Sequence, residues 1–237
     1  MQNRKKVPTA TVRYAFVRSL PIMAGYLILG AGFGILLRAN GFGLPWAAAM
    51  SVFIYAGSMQ FVAIDLLSAG ASLITTALMT LAVNARHLVY GVSMLSRYRG
   101  TGRFKPYLIF SLTDETYSVV CSGELPAGVD GPLYFFLLSL FNQLYWVAGS
   151  LIGSAAGSIL PFSTEGIDFS MTALFVVVFL EQWQSTKKHF SACLGVIGSL
   201  ICLLFFGESR FIIPAMLVIV GGLCLARPRT TGGDSHG

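Results

Sequence analysis

Charge is what this sequence has least of. Of its 237 residues, 10 are Asp or Glu and 16 are Lys or Arg, together 11%. Soluble domains carry roughly 25% charged residues, because they must present a polar surface to water. With 55% hydrophobic residues, that surface cannot be built, and a soluble globular fold is excluded. Cysteine and histidine are sparse too. Cys121, Cys193, Cys202 and Cys224 are scattered in or at the ends of apolar segments, with no CxxC or Cys/His pair. Neither a disulfide framework nor a metal site is indicated, no cofactor is expected, and the thiols read as small buried hydrophobes. The chain also lacks HExxH and GxSxG, two direct signatures of hydrolytic chemistry.

The net charge of +6 does not make a nucleic-acid face. The basic residues cluster at the ends of apolar segments: Arg4, Lys5, Lys6, Arg13 and Arg18; Arg97, Arg99, Arg103 and Lys105; Lys187 and Lys188; Arg227 and Arg229. That is the positive-inside distribution of a membrane protein. The basic start resembles a signal-peptide n-region, but no small-residue cleavage pattern follows it, so the first apolar stretch reads as an uncleaved helix.

The apolar segments run over 19–37, 46–69, 72–95, 106–121, 132–160, 169–186, 189–206 and 210–226. Most reach the ~20 residues that a spanning helix needs. The expected fold is an all-α polytopic membrane protein of about six to eight hydrophobic segments. Its parts are a basic cytoplasmic N-terminus (1–18), one transmembrane domain (19–226) and a polar tail (227–237).

If every segment crossed, the basic N-terminus and the basic loop 97–105 would lie on opposite sides, whereas short basic loops stay cytoplasmic. The expected resolution is that 46–69 is interrupted at Gly57-Ser58 and returns to its own side. A matching break in 132–160, which carries Asn142 and Gln143, would repair the second half and suggests an internal repeat. Broken helices at membrane depth are tolerated where they line a cavity, and transporters bind substrate there.

A charge at membrane depth costs at least about 2.5–3.5 kcal/mol, so residues that bear one there mark substrate or ion paths. The short runs Asn84-Ala85-Arg86-His87 and Thr113-Asp114-Glu115 lie inside otherwise apolar segments. Asn84 and His87 share a helix face while Arg86 points elsewhere. Arg86 is a candidate to pair a carboxylate through two parallel hydrogen bonds, or to snorkel to the helix end. His87 is a candidate proton relay or a hydrogen-bonded structural group.

Asp114 and Glu115 lie about 100° apart on a helix and cannot face one partner. The economical arrangement pairs one with Arg86 and leaves the other for a substrate ammonium or a coupling proton. In 46–69, Gly57 and Ser58 allow a bend and Gln60 adds a hydrogen-bonding tip; the plainer reading is close helix packing. Asn142, Trp146 and Gly149 fall on one face of 132–160, and Gly149, Gly153 and Gly157 form a GxxxGxxxG stripe for contact with another helix, in this chain or a partner.

The stretches IYAGSMQFVA (54–63), NARHLVYG (84–91), FSLTDETYSV (110–119) and ALFVVVFL (173–180) occur in an order and at spacings similar to those of the AzlC family of branched-chain amino-acid export permeases. The resemblance spans about residues 14–226. It implies the large subunit of a two-component permease in a bacterial inner membrane, driven by the proton motive force, with a small hydrophobic AzlD-type partner. It carries functional weight onto Asn84, Arg86, His87, Thr113, Asp114, Glu115 and Gln60. The alternatives are a non-transporting scaffold or channel subunit and an intramembrane enzyme using Asp114, Glu115 and His87. Adjacent carboxylates on one helix disfavour the enzyme, because acid–base catalysis needs groups that converge.

Overall fold

The computed structural model describes residues 6–121, 125–159, 176, 179, 180, 183, 189–207, 211, 214, 215, 217–219, 221 and 222. The chain divides into two compact units, Met1–Thr172 and Ala173–Gly237. Every regular element among the described residues is helical. The protein is an all-α membrane protein.

The first unit is organised by two long helices, α1 (Lys6–Ala39) and α7 (Gly131–Ile159). At about 1.5 Å per residue both exceed the ~30 Å hydrocarbon core. Helix α1 starts well before the apolar stretch at 19–37, and Thr11 and Ala15, in the basic lead, are fully buried. Thr11 Oγ1 accepts the Asp130 amide at 3.0 Å, which holds this lead against the approach to α7.

The two helices meet through glycines. An added Cβ on Gly30 would lie 2.9 Å from the Trp146 carbonyl oxygen, and one on Gly149 would lie 2.8 Å from that of Leu27. Cβ atoms on Gly34 and Gly153 would run into the backbone of Ser150 and Ala31. Backbones this close need residues without side chains, the small-residue geometry of membrane helix pairs. The Gly149–Gly153–Gly157 stripe is therefore occupied by α1 within the chain.

Helix α7 is continuous, and the expected break in 132–160 is not there. Its polar pair is engaged by tertiary partners: Asn142 donates to Thr116, and Gln143 donates to the Val52 carbonyl while accepting from Tyr107. Polar side chains engaged by neighbouring segments do not by themselves require the helix to open.

The breaks lie elsewhere. Segment 46–69 forms α2 (Leu44–Phe53) and α3 (Gly57–Ser68), each about half of a membrane span by its residue rise. The interruption falls at Ile54–Ala56, one step before the expected Gly57-Ser58, and Tyr55 takes the left-handed conformation with φ 43°. Gly57 instead opens α3 beneath the Trp146 ring, 3.0 Å from where a Cβ would stand.

Helix α4 (Leu73–Met94) is uninterrupted and is capped by Ser72, whose hydroxyl accepts the Thr75 amide at 3.1 Å. A second break divides 106–121 into α5 (Lys105–Phe110) and α6 (Asp114–Cys121). The expected pattern of two matching halves is thus replaced by two broken segments, 44–68 and 105–121, beside the α1–α7 pair.

In the second unit the described helix is α8 (Phe190–Phe206), apolar throughout. Glu165, Asp168, Glu181, Lys187, Lys188, Cys224 and the tail lie outside the described residues, as does most of ALFVVVFL.

Candidate functional site

The first break opens onto a cavity of about 240 Å³. Ile54, Tyr55 and Ala56 form one wall, a face of α4 from Asn84 to Leu95 the second, and α5 the third. The lining is mostly apolar, with Met94, Ile109, Phe110 and Leu112 among its residues, and its polar members are Asn84, His87, Tyr98 and Lys105. Asn84, His87 and Gly91 reach one cavity because i, i+3 and i+7 share a helix face. Gly91 has no atom within 4 Å of where a Cβ would point, which leaves the α4 wall open there. A small apolar pocket with a few convergent polar groups is the usual form of a small-molecule site.

Behind the cavity runs a buried polar network that joins α1, α6 and α7. Tyr26 on α1 places its hydroxyl oxygen 2.6 Å from Glu115 Oε2 and 2.7 Å from Thr113 Oγ1. Thr113 caps α6: its oxygen accepts the Thr116 amide at 3.3 Å while its hydroxyl donates to Thr116 Oγ1 at 3.0 Å. Asn142 Nδ2 completes the line by donating to Thr116 Oγ1 at 2.9 Å. Tyr55 connects the two regions, since it lines the cavity and its hydroxyl faces Tyr26 and Glu115.

A second brace holds the first break in place. Trp146 Nε1 donates to Gln60 Oε1 at 2.9 Å, and Gln60 Nε2 donates to Ser51 Oγ at 3.3 Å, so both ends of the fully buried Gln60 amide are engaged. Trp146 stacks with Phe33 at 6.3 Å between ring centroids and meets Tyr26 edge-on at 5.5 Å. The indole thus locks α3 to the α1–α7 pair.

The sequence-derived candidates therefore separate into groups. Asn84 and His87 line the cavity, and Thr113 and Glu115 belong to the buried network. Gln60 and Gly57 are packed against Trp146, with Ser58 beside them in the first turn of α3. Asp114 opens α6 next to Glu115. The side chain of Arg86, and with it the expected Arg86–carboxylate pair, lies outside the described residues.

Tyr26, Tyr55 and Thr116 were not legible as site residues. Tyr26 and Tyr55 are uncharged residues in apolar stretches and Thr116 sits beside the more conspicuous carboxylates, and the network is closed by partners distant in sequence, such as Tyr26 with Thr113 and Thr116 with Asn142. The left-handed Tyr55 had one available signal, its place directly before the small residues Ala56-Gly57-Ser58.

Comparison with known proteins adds the lineage. The profile of the family described as AzlC protein matches residues 21–160. The chain is 48% identical over 225 residues to the branched-chain amino acid transport protein AzlC of Bacillus subtilis (strain 168), covering 95% of this chain and 89% of that protein. It is 44% identical over 213 residues to an uncharacterized membrane protein of Helicobacter pylori (strain ATCC 700392 / 26695), covering 90% and 93%. It is 30% identical over 213 residues to the inner membrane protein YgaZ of Escherichia coli (strain K12), covering 87% and 84%. No solved structure matches the chain. Both the profile match and the identity over nearly the whole length make this chain a member of the AzlC family.

Proposed function

We propose that this protein is the large subunit of a secondary transporter that exports branched-chain or related neutral amino acids, and that the substrate sits in the cavity at the first helix break. The observation that carries the reading is the meeting, in one cavity, of that break with Asn84 and His87 on an apolar lining. The printed name of the Bacillus subtilis relative supports the substrate class.

In this reading the amino-acid head group lies against the polar end, and its side chain against Ile54, Met94, Ile109 and Leu112. The Asn84 side-chain oxygen is buried and accepts no hydrogen bond. Leaving a buried acceptor unmet costs about 1–3 kcal/mol, which a substrate ammonium would relieve. His87 and Lys105 would face the carboxylate. The apolar wall prefers Leu, Ile and Val, although one methylene is worth only about 1–3 kcal/mol of discrimination.

The arrangement of the carboxylates supports transport over catalysis in this reading: Asp114 and Glu115 are adjacent on α6, and neither is among the cavity-lining residues. The cycle would draw on the proton motive force, in a bacterial inner membrane, with the N-terminus cytoplasmic. A small AzlD-type hydrophobic subunit would complete the permease. The α1–α7 pair fills its own glycine stripe, so that subunit would dock elsewhere than on Gly149, Gly153 and Gly157.

The deciding experiment is counterflow of labelled leucine, isoleucine, valine and methionine in proteoliposomes, with and without the small subunit. Exchange of at least one of them is expected. No exchange of any, under either condition, would sink the reading.

A further inference from the structure

Helices α1 and α7 run side by side in the same direction. Tyr14 meets Tyr134 at 5.2 Å between ring centroids, Tyr26 meets Trp146 at 5.5 Å, and Gly157 lies against Ile35 and Arg38. The pair thus has a first end, at Tyr14 and Tyr134, and a last end, at Arg38 and Gly157.

The broken segments can be placed against these two ends. Helix α1 stops at Ala39 and α2 starts at Leu44, so segment 44–68 begins at the last end. Its turn lies deep, with the Val52 carbonyl on Gln143 and Gly57 under Trp146. Along α7 the step from Gly157 back to Gln143 is about 21 Å. Helix α3 then returns, and the Ser68 hydroxyl donates to Asn40 Oδ1 at 3.4 Å. Helix α4 crosses alone, about 33 Å for its 22 residues, and brings Tyr98 to the first end, 5.6 Å from Phe135. Segment 105–121 starts there, where Phe104 stacks on Phe136 at 4.7 Å. It reaches Gln143 through Tyr107 and Tyr26 through Thr113. Val120 then returns to the same core as Ala15, Tyr98 and Tyr134.

The basic residues Arg13, Arg18, Arg97, Arg99, Arg103 and Lys105 all fall at the first end, which the positive-inside rule makes cytoplasmic. We infer that the two broken segments re-enter the membrane from opposite faces, 44–68 from the external face and 105–121 from the cytoplasm, and that the cavity between their turns is loaded from the cytoplasm. The first half stands on the contacts; the loading half rests on the transporter reading.

The two turns meet at the cavity, where the rings of Tyr55 and Phe110 are 6.4 Å apart. On α4 the cavity wall starts at Asn84, halfway along the helix, and runs about 16 Å to Leu95. It continues to Tyr98 and to the exposed Lys105, both at the cytoplasmic end. Among the described residues, none on α4 before Asn84 lines it. Towards the external face α3 stands in the way, with Gln60 held by Trp146 and Phe61 edge-on to Phe33 at 5.7 Å. Exit to that side requires segment 44–68 to move. Its turn carries the left-handed Tyr55, and strained backbone of this kind clusters at switch regions. Helix α1 followed by 44–68, and α4 followed by 105–121, are one plan in two opposite orientations, the inverted pairing on which transporters alternate access.

Single cysteines in a chain whose four native cysteines are replaced by alanine test both halves. The probe is a membrane-impermeant maleimide, applied to right-side-out and to inverted membrane vesicles. Ala39→Cys and Ala69→Cys, flanking the first broken segment, should react in right-side-out vesicles only. Arg99→Cys and Ala127→Cys, flanking the second, should react in inverted vesicles only. Reaction from opposite faces within either pair would overturn re-entry. Should the cysteine-free chain not assemble, protease sites inserted at Gly41, Gly70, Gly100 and Gly128 report the same four loops.

Gly91→Cys, on the cavity wall, should react in inverted vesicles and stay unlabelled in right-side-out ones; Leu95→Cys serves if that variant does not assemble. Labelling from the external face, or equally from both, would overturn the loading side. Excess leucine should slow the reaction. With labelling from the cytoplasm but no protection by leucine, the loading half falls with the transporter reading, and re-entry stands by itself.

Discussion

Two glycines, two positions apart on α1, should respond to alanine in opposite ways. At Gly34 an added Cβ would strike the backbone of Ser150 and Ser154 on α7. At Gly32 it would meet nothing within 4 Å. Overpacking costs typically about 1–3 kcal/mol. The upper half of that range applies at Gly34, because the atoms in the way are main chain and cannot rotate aside. Helix α7 cannot easily retreat either, since Asn142, Gln143 and Trp146 tie its other faces to α6, α2 and α3. Both substitutions gain about 1 kcal/mol of helix propensity, and this gain cancels when the two variants are compared. Gly34→Ala should therefore be less stable than Gly32→Ala by about 2–3 kcal/mol. For a chain of this size each kcal/mol moves Tm by roughly 2–4 °C. Thermal unfolding in mild detergent, followed by intrinsic tryptophan fluorescence, reads the difference, and Trp146 lies in the interface being probed. Equal melting temperatures would refute the close α1–α7 approach on which the fold is built.

Gly91→Leu should fill the open part of the cavity, giving normal yield and melting but little leucine counterflow, while Gly91→Ala should transport nearly as wild type. Gln60→Leu strips the buried Trp146 N–H of its acceptor and should lower stability by about 1–3 kcal/mol, measured by the same unfolding assay. Asn84→Ala removes an acceptor that is already unmet, so stability should hold or rise slightly. Leucine counterflow should nevertheless fall about tenfold or more, the loss expected for one hydrogen bond to a charged group at about 1.5–3 kcal/mol.

The sequence made the membrane, the polar intrusions and the existence of broken segments readable, because each follows from local composition. The position of the first break did not follow. Small residues suggested Gly57-Ser58, yet the left-handed residue is Tyr55, and Gly57 is small because Trp146 lies over it. Asn142-Gln143 looked like a point of weakness in 132–160. The Asn142 Nδ2 and both ends of the Gln143 amide are instead engaged by Thr116, Val52 and Tyr107, partners that no local window contains. Gln60 was read as a hydrogen-bonding tip, and so it is, but the tip is used on Trp146 and Ser51. Tyr26 carried no signal at all, because a tyrosine in an apolar helix is ordinary until Glu115 is brought beside it.

The Asn142–Gln143 pair explains how two broken segments can persist in one small bundle. A helix that ends at membrane depth leaves its last carbonyls without partners, and no water is present to meet them. Val52, in the last turn of α2, has its carbonyl met by Gln143 Nε2 at 3.1 Å. The start of the other broken segment's second helix is held by Asn142, through Thr116. Neighbouring side chains on one unbroken helix thus support both interruptions. The same helix cannot slide to release one without disturbing the other, because its glycines are seated on α1. The first interruption borders the cavity and the second begins the helix that bears Glu115. A change at the cavity and a change at α6 would therefore act on a common support, which is the physical requirement for coupling two regions of one protein.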